Sequence, residues 1–397
     1  MRLRYNFRLY PSPGQQAALA RAFGCARVVF NDALRARQEA FAAGQSYLSD
    51  RELSARLTAA KANPERAWLS EVSAVVLQQA LADLNTAYRN FLASRMGKRQ
   101  GPKARPPRFR SRKDHRQTIR FTRNARFIVT PGGKLRLPKI GDVTVRWSRS
   151  LPSTPSSVTV IKDSAGRYFA SFVIETMPAA LPEAEPVIGI DLGLAHFAVL
   201  SDGRKIASPR FLRRAEKKLR RAQKALSRKE NGSQNWDKAR KSVARAHARV
   251  ADARREFHHH LSTRLIRENQ AVAVEDLAVN GLARTRMAKS VHDAGWSAFV
   301  RMLEYKAQLF DRAFYQIDRF EPTSQVCSVC GVKDGPKPVH IRTWKCQRCG
   351  TWLDRDVNAA VNVAKAAGLA VTACGAQVRP GLTLAQCVEA GTLPGTA

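Results

Sequence analysis

The sequence predicts an α/β chain in two halves. The first is a small antiparallel β-barrel carrying a helical insert. The second alternates apolar strands with helices and is interrupted by a cysteine-rich module. Three observations lead there. Residues 1–10 and 127–177 alternate apolar and polar positions between turn residues. Residues 12–96 repeat their apolar positions at three and four. Beyond residue 186 short apolar runs end in acids, and two cysteine pairs stand between the second and third acid-bearing segments.

Composition narrows the partner before any motif is read. The 397 residues suffice for two or three domains. Lys and Arg number 68 against 32 Asp and Glu, a net charge of +36. Charge of that size repels itself in a compact chain unless a polyanion neutralises it, which favours nucleic acid over a small metabolite. No run of 18 apolar residues predicts a membrane span, and the opening MRLRYNFRLYPSPG lacks the apolar stretch of a secretory signal. Seven Cys, four of them in two tight pairs, read as metal ligands in a reducing compartment rather than as a disulfide framework.

Each element follows in chain order. Residues 1–10 place Leu3, Tyr5, Phe7 and Leu9 on one face of a strand that Pro11 and Pro13 end. Residues 15–43 turn helical, with Leu19, Phe23, Val28, Val29 and Leu34 as the core stripe. Helical spacing continues over 50–61 and 67–96, so 11–119 is expected as a helical insert in a barrel formed by 1–10 and 120–180. The segment GKRQGPKARPPRFRSRKDHRQTIRFTRNAR (97–126) holds twelve cations and a single acid, Asp114. Its Gly and Pro deny a helix through 97–107. Lys98, Arg99, Lys103, Arg105, Arg108, Arg110, Arg112, Lys113 and Arg116 suit a phosphate backbone, with Phe109 and Phe121 free to stack on bases. A solvated linker is the alternative. Hairpins are expected across Gly132-Gly133 and across 163–166, and the Pro-rich 178–186 marks the domain boundary. Residues 209–266 read as a helical hairpin turning at Asn231-Gly232-Ser233. Its seam runs Leu212, Ala215, Leu219, Ala222, Leu226 on one arm and Ala239, Val243, Ala246, Val250, Ala253, Phe257 on the other. That hairpin flanks a nucleic-acid channel or is simply a solvated basic face. Residues 371–397, rich in Gly, Pro and small side chains, are expected as a mobile tail with Cys374 and Cys387 as free thiols.

Three segments place an acid where a metal would want one. In PVIGIDLGLAHFAVLSDGRK (186–205) a buried strand leads to Asp191, and Gly193 is read as permitting a close approach. In QAVAVEDLAVNGL (270–282) an apolar strand ends at Glu275-Asp276. In LDRDVNAAVNVAKAAG (353–368) Asp354 and Asp356 open an Ala-rich helix, where Asp354 has a ready role as N-cap. A carboxylate in an apolar strand is costly unless something compensates it, and a divalent cation does so. Three such acids can hold two Mg²⁺ ions that clamp an in-line phosphoryl displacement.

Cys327-x2-Cys330 and Cys346-x2-Cys349, fifteen residues apart, predict one Zn²⁺. Four thiolates leave no open position, so the zinc is structural. His340 is a spare ligand that the site does not need.

Five separated motifs in order, GIDLGLAHFAVLSDG, VAVEDLAVNGL, SVHDAGWSAFVRMLEYKA, TSQVCSVCG…TWKCQRCG and DRDVNAAVNV, together with YNFRLYPSPGQQAALARAFGCARVVFNDAL, resemble the TnpB family. These are transposon-associated proteins related to the miniature type V CRISPR nucleases, and the likeness spans about residues 3–367. It implies an RNase H-like (RuvC) nuclease domain over 181–322 and 352–370, a zinc-ribbon insert at 323–351, and an N-terminal wedge β-barrel with a helical recognition insert. It implies a guide RNA from the transposon end and cleavage of double-stranded DNA beside a short target-adjacent motif by an insertion-sequence protein of the bacterial cytoplasm, acting as a monomer in its ribonucleoprotein. The family's acids carry onto Asp191, Glu275 and Asp356, with Mg²⁺ or Mn²⁺ as the metal. The family pattern Asp-x-Asn-Ala-Ala selects Asp356, with Asp354 as the alternative. In that scheme Asp191 and Asp356 share the metals while Glu275 holds the second and orients water. A cleavage-inactive RNA-guided repressor and a transposase proper are the rival functions.

Overall fold

The structure is a computed structural model that describes residues 1–338, 340–371 and 377–378. The chain divides into two compact units, 1–176 and 177 onward. Nearly all of the expected tail, with Cys374 and Cys387, lies outside the described residues.

The first unit is built on a seven-stranded antiparallel sheet. Its strands are β1 (Arg2–Tyr10), β2 (Gln117–Thr122), β3 (Ile128–Val129), β4 (Lys134–Leu137), β5 (Gly141–Arg146), β6 (Ser157–Lys162) and β7 (Tyr168–Glu175), in the order β2-β6-β7-β1-β5-β4-β3. β1 sits centrally, paired with β7 along most of its length and with β5 at its end. Phe7 and Leu9 point into the core as alternation requires. The expected barrel does not close: β2 and β3 end the ladder and do not pair with each other. β3 has only two residues, both exposed, and Arg126 just before it adopts a left-handed conformation. Too little strand remains to bridge the gap.

Helices α1 (Pro13–Ala42), α2 (Asp50–Ala62) and α3 (Ala74–Arg95) complete this unit. Ser12 with Gln15, and Ser49 with Glu52, form reciprocal capping boxes that start α1 and α2. The helix expected from 67 begins only at 74. Pro64 and the Asn63 cap set a 3₁₀ turn over Pro64–Glu71, and an extended Val72 separates it from α3. Helices and sheet share one hydrophobic core in which Leu19, Leu34, Leu77 and Leu84 meet Phe121 and Phe172. The basic segment is accordingly shorter than expected. Residues 117–122 are β2, and Phe121 is fully buried, so it is not available to stack on bases.

The second unit holds a five-stranded mixed sheet of β8 (Val187–Asp191), β9 (His196–Leu200), β10 (Lys205–Ala207), β11 (Ala271–Glu275) and β12 (Ala313–Ile317), in the order β10-β9-β8-β11-β12. β8, β11 and β12 run parallel, and β9 and β10 complete the sheet in antiparallel fashion. β8 and β11 are buried on both faces, hence their unbroken apolar sequences. The long helices α4 (Phe211–Ser227) and α5 (Gln234–Glu268) form the hairpin, and every expected seam residue is at least partly buried. The short α6 (Val279–Leu282) and α7 (Ala288–Ala294) lead to α8 (Trp296–Phe310). α5 and α8 cover the sheet face carrying Ile188, Ile190, Val272 and Val274. Arg210 is left-handed and cannot cap α4; Asp293 of α7 does so instead, accepting from Leu212 N–H at 2.9 and 3.0 Å and from Arg254 at 3.2 Å.

The two-stranded ribbon β13 (Thr343–Lys345) and β14 (Trp352–Asp354) belongs to the cysteine module, and α9 (Arg355–Ala366) follows it directly. α9 packs on the other sheet face, where Val363 and Ala364 meet Val187, Ala271 and Ala273. Residues 178–186 run along this second unit, tied down by hydrogen bonds to Leu309, Phe310, Gln270 and Arg312. Among the described residues no helix is long and apolar enough to cross a membrane.

Candidate active site

Two neighbouring parallel strands end together in acid. Val274 pairs with Ile190, so the next residues, Glu275 and Asp191, stand at the same level on adjacent strands. The alternation that buries Ile188 and Ile190 under α5 and α8 turns Val187 and Gly189 toward α9. Gly189 is what admits that helix. A Cβ there would lie 2.1 Å from the Ala360 carbonyl oxygen and 2.7 Å from Ala364 N. Gly193, the glycine expected to permit close approach, meets only the His196 carbonyl oxygen at 3.2 Å.

α9 brings the third acid. Asp354 is the N-cap, accepting from the N–H groups of Asp356 and Val357 at 3.1 and 3.0 Å, and it also pairs with Lys205. Its charge is therefore engaged with the helix end and a lysine, and its carboxyl is held below the usual range despite partial burial. Asp356, two residues on, shares with Asp191 the lining of a cavity of about 280 Å³ that Trp296 and Arg342 also line.

Electrostatics ties the three acids together. Burial first, and then the charges of Glu275 and Asp356, push Asp191 up to about 7. Arg355 and Arg342 oppose that rise. Burial also raises Glu275, while the Thr323 hydroxyl, donating to Glu275 Oε1 at 2.7 Å, favours its charged form. Arg342 Nη1 donates to both oxygens of Asp356 at 3.1 and 3.4 Å. The acids repel at a distance without meeting: among the described residues, the four cysteines alone form a group whose ligand atoms all lie within 4.8 Å of one another. An all-oxygen donor set under mutual repulsion suits a hard divalent cation.

The cysteine group has the dimensions of a zinc site. Cys327 and Cys349 sulfurs are 3.7 Å apart and those of Cys330 and Cys346 3.6 Å. Four sulfurs at about 2.3 Å from a tetrahedral Zn²⁺ lie roughly 3.7 Å from one another. His340 is exposed and stands outside the cluster. Two asparagines of α9 dock this module. Asn358 accepts from Ser328 N–H at 2.8 Å and donates to the Val326 carbonyl at 2.8 Å. Asn362 donates to the carbonyls of Thr323 and Val326, both at 2.7 Å. The knuckle is thereby fixed to the helix that carries Asp356, and it contributes Thr323 and Arg342 to the acids.

Of the expected nucleic-acid contacts, Lys98, Arg99, Lys103, Arg105, Arg108, Phe109, Arg112, Lys113 and Arg116 are exposed on the first unit. Arg110 is instead built into it: it pairs with Asp83 at 3.3 Å, lies 3.8 Å over the Phe30 ring, and is bound through its backbone by Asn31. Thr323, Asn358, Asn362 and Gly189 were the site's unread members, and Arg342, readable as a cation beside the cysteine knuckle, turns out to hold Asp356. An i, i+4 asparagine pair on the face of an Ala-rich helix was the available signal.

Comparison with known proteins gives the chain its relatives. Family models match residues 171–286 ("Probable transposase", the OrfB family of IS605), 296–363 ("Cas12f1-like, TNB domain") and 1–46 ("Helix-turn-helix domain"). Residues 1–46 here form one strand and one long helix, not two helices. A Streptomyces pristinaespiralis protein named "Putative RNA-guided DNA endonuclease" is 44% identical over 380 residues, 95% of this chain and 92% of its own length. InsQ of Escherichia coli K12, which carries the same description, is 31% identical, with 96% of each chain covered. The protein in a cryo-EM structure of a Cas12f1-sgRNA-target DNA complex shares the fold at 14% identity, with a TM-score of 0.52 over 88% of this chain and 83% of that one. With that identity sustained along nearly the whole length, the chain belongs to the TnpB family.

Proposed function

We propose that this chain is an RNA-guided endonuclease of an insertion sequence that cleaves double-stranded DNA at a RuvC-like, Mg²⁺-dependent site formed by Asp191, Glu275 and Asp356. The observation that carries the proposal is the pair of parallel strands delivering Asp191 and Glu275 side by side, with Asp356 near enough to raise Asp191 further. Two of its relatives bear the name of that activity.

The chain's own residues divide the work. Asp191, Glu275 and Asp356 would hold Mg²⁺, or Mn²⁺ in its place, and bound there the metal supplies charge stabilisation to a phosphodiester under in-line attack. Thr323 orients Glu275 and favours its charged form against the burial that raises it. Asp354 stays with the helix cap and Lys205, which leaves Asp356 as the third ligand. Arg342 holds Asp356 and adds a positive charge where a phosphate must approach the cavity. A guide RNA supplies sequence recognition by pairing, and a net charge of +36 supplies backbone affinity. The structural Zn²⁺ belongs to the four cysteines. A cleavage-inactive repressor would lack an acid of the triad, and all three are present.

The test is a plasmid-cleavage assay with protein purified together with its RNA and a library of sequences flanking the target. Linear product that requires Mg²⁺ and is lost in Asp191→Ala is expected. Intact supercoiled plasmid for every flanking sequence would sink the proposal.

A further inference from the structure

The first unit's sheet leaves its two end strands, β2 and β3, unpaired with each other. A cavity of about 790 Å³ opens there, lined by β3, by residues that follow β2 and β5, and by residues that precede β6. That volume lies within the ~300–1,000 Å³ typical of ligand pockets. Its apolar lining includes Phe127, Ile128, Trp147 and Leu151, and Ile128 is 48% exposed on a strand whose outer edge is unpaired. An exposed apolar edge of this kind is a liability unless something covers it.

The chemistry of the lining narrows what could occupy it. Two arginines, Arg123 and Arg149, and no acid line the cavity, and neither guanidinium has a carboxylate partner among the described residues. Elsewhere in the same unit, Arg110 and Arg120 share Asp83. Arg149 lies 4.9 Å over the Tyr5 ring, so its plane is held rather than adrift. Trp147 is pinned as well: its Nε1 donates to the Gly133 carbonyl at 2.7 Å, and its ring stacks on Phe172 at 5.8 Å. Ser148, Ser150 and Thr154 bring hydroxyls to the same lining. A rigid aromatic wall, an exposed apolar floor, unpaired guanidiniums and several hydroxyls match one ligand chemistry: base, phosphate and 2′-hydroxyl of a single unstacked ribonucleotide.

We infer that the unclosed seam between β2 and β3 holds an unpaired nucleotide of the bound RNA, with Arg123 and Arg149 on its phosphates and Ile128 and Trp147 against its base. This rests on the RNA-guided reading above. The nucleotide takes the space that the two-residue β3 leaves unbridged.

The test uses the full-length protein expressed with its RNA in cells fed 4-thiouridine, irradiated at long wavelength, with crosslinked peptides mapped by mass spectrometry. Crosslinks within residues 123–129 or 147–155 are expected. Ile128→Glu and Arg149→Glu should each lower their yield about tenfold, with thermal unfolding unchanged in Ile128→Glu, whose side chain is exposed, and lowered only slightly in Arg149→Glu, which loses its contact with the Tyr5 ring. The wild-type map decides even if a variant fails to fold. Protein that retains RNA but crosslinks only outside these segments overturns the inference and leaves the nuclease reading intact. Protein that retains no RNA overturns the nuclease reading, and this inference with it. Protection of Arg149 from phenylglyoxal that survives RNase digestion, the mark of a peptide in the slot, also overturns it.

Discussion

The four cysteine sulfurs and the three carboxylates of the second unit differ in how far the fold alone assembles them. The sulfurs already stand at tetrahedral spacing, 3.6 and 3.7 Å for two pairs, and two of the cysteines are fully buried. They come from two short turns, tied together by the β13–β14 ribbon and docked on α9 by Asn358 and Asn362. The carboxylates come from three separate elements and are kept near one another against their own repulsion, with Asp191 pushed up to about 7 and Asp356 drawn to Arg342. A structural centre is finished by the backbone that holds it. On the function proposed above, the carboxylates would be a reactive centre left electrostatically incomplete, so that cation and phosphate stabilise what the fold does not. The zinc module serves both ends, because it also positions Thr323 and Arg342.

The contrast can be broken at either end. Asp191→Ala should reduce cleavage by about 10³-fold or more while RNA binding persists, since the loss falls on charge stabilisation at the reacting phosphate. Gly189→Ala forces a methyl into the α9 backbone, which cannot yield as a side chain would. We expect a loss of about 3 kcal/mol or more in chemical denaturation, and cleavage lost with it. Cys346→Ser should take the zinc content from about one to none and lower the melting temperature, because four ligands close the site. Unchanged stability would refute its structural role.

Smaller effects sharpen the comparison. Asn358→Ala leaves Ser328 N–H and the Val326 carbonyl short of a partner and should cost about 1–3 kcal/mol, with cleavage falling further than zinc content as α9 loosens from the knuckle. The acid site should also carry a pH signature when metal is chelated. Asp191 has a folded pKa of about 7, above its unfolded value, so the folded chain binds the extra proton. Stability should therefore fall as pH rises from about 4 to about 7, by a few kcal/mol. Asp191→Asn should flatten that slope in urea melts at pH 5 and pH 8.

Much of this was legible in the sequence, for definite reasons. β1 alternates cleanly, β8 and β11 are apolar runs because parallel strands are buried on both faces, and the α4–α5 seam repeats at three and four. The two cysteine pairs declared their own site. Other features depended on tertiary context. Ile119 and Phe121 alternate as a strand should, but the cations between and around them hid the pattern, and Phe121 was read as surface. Barrel closure depends on the length of β3, two residues, which no periodicity reports. Asp354 and Asp356 differ only in which way a helix start turns them. The glycine that matters, Gly189, sits inside an apolar strand where nothing local explains it; its reason is a helix more than 160 residues later.

The most direct measurement is anomalous scattering from crystals of the protein–RNA complex soaked in Mn²⁺. The account predicts manganese within about 2.5 Å of carboxylate oxygens of Asp191, Glu275 and Asp356, with Asp356 withdrawn from Arg342. Manganese on Asp354 in place of Asp356, or no metal between the strand ends that carry Asp191 and Glu275, would contradict it.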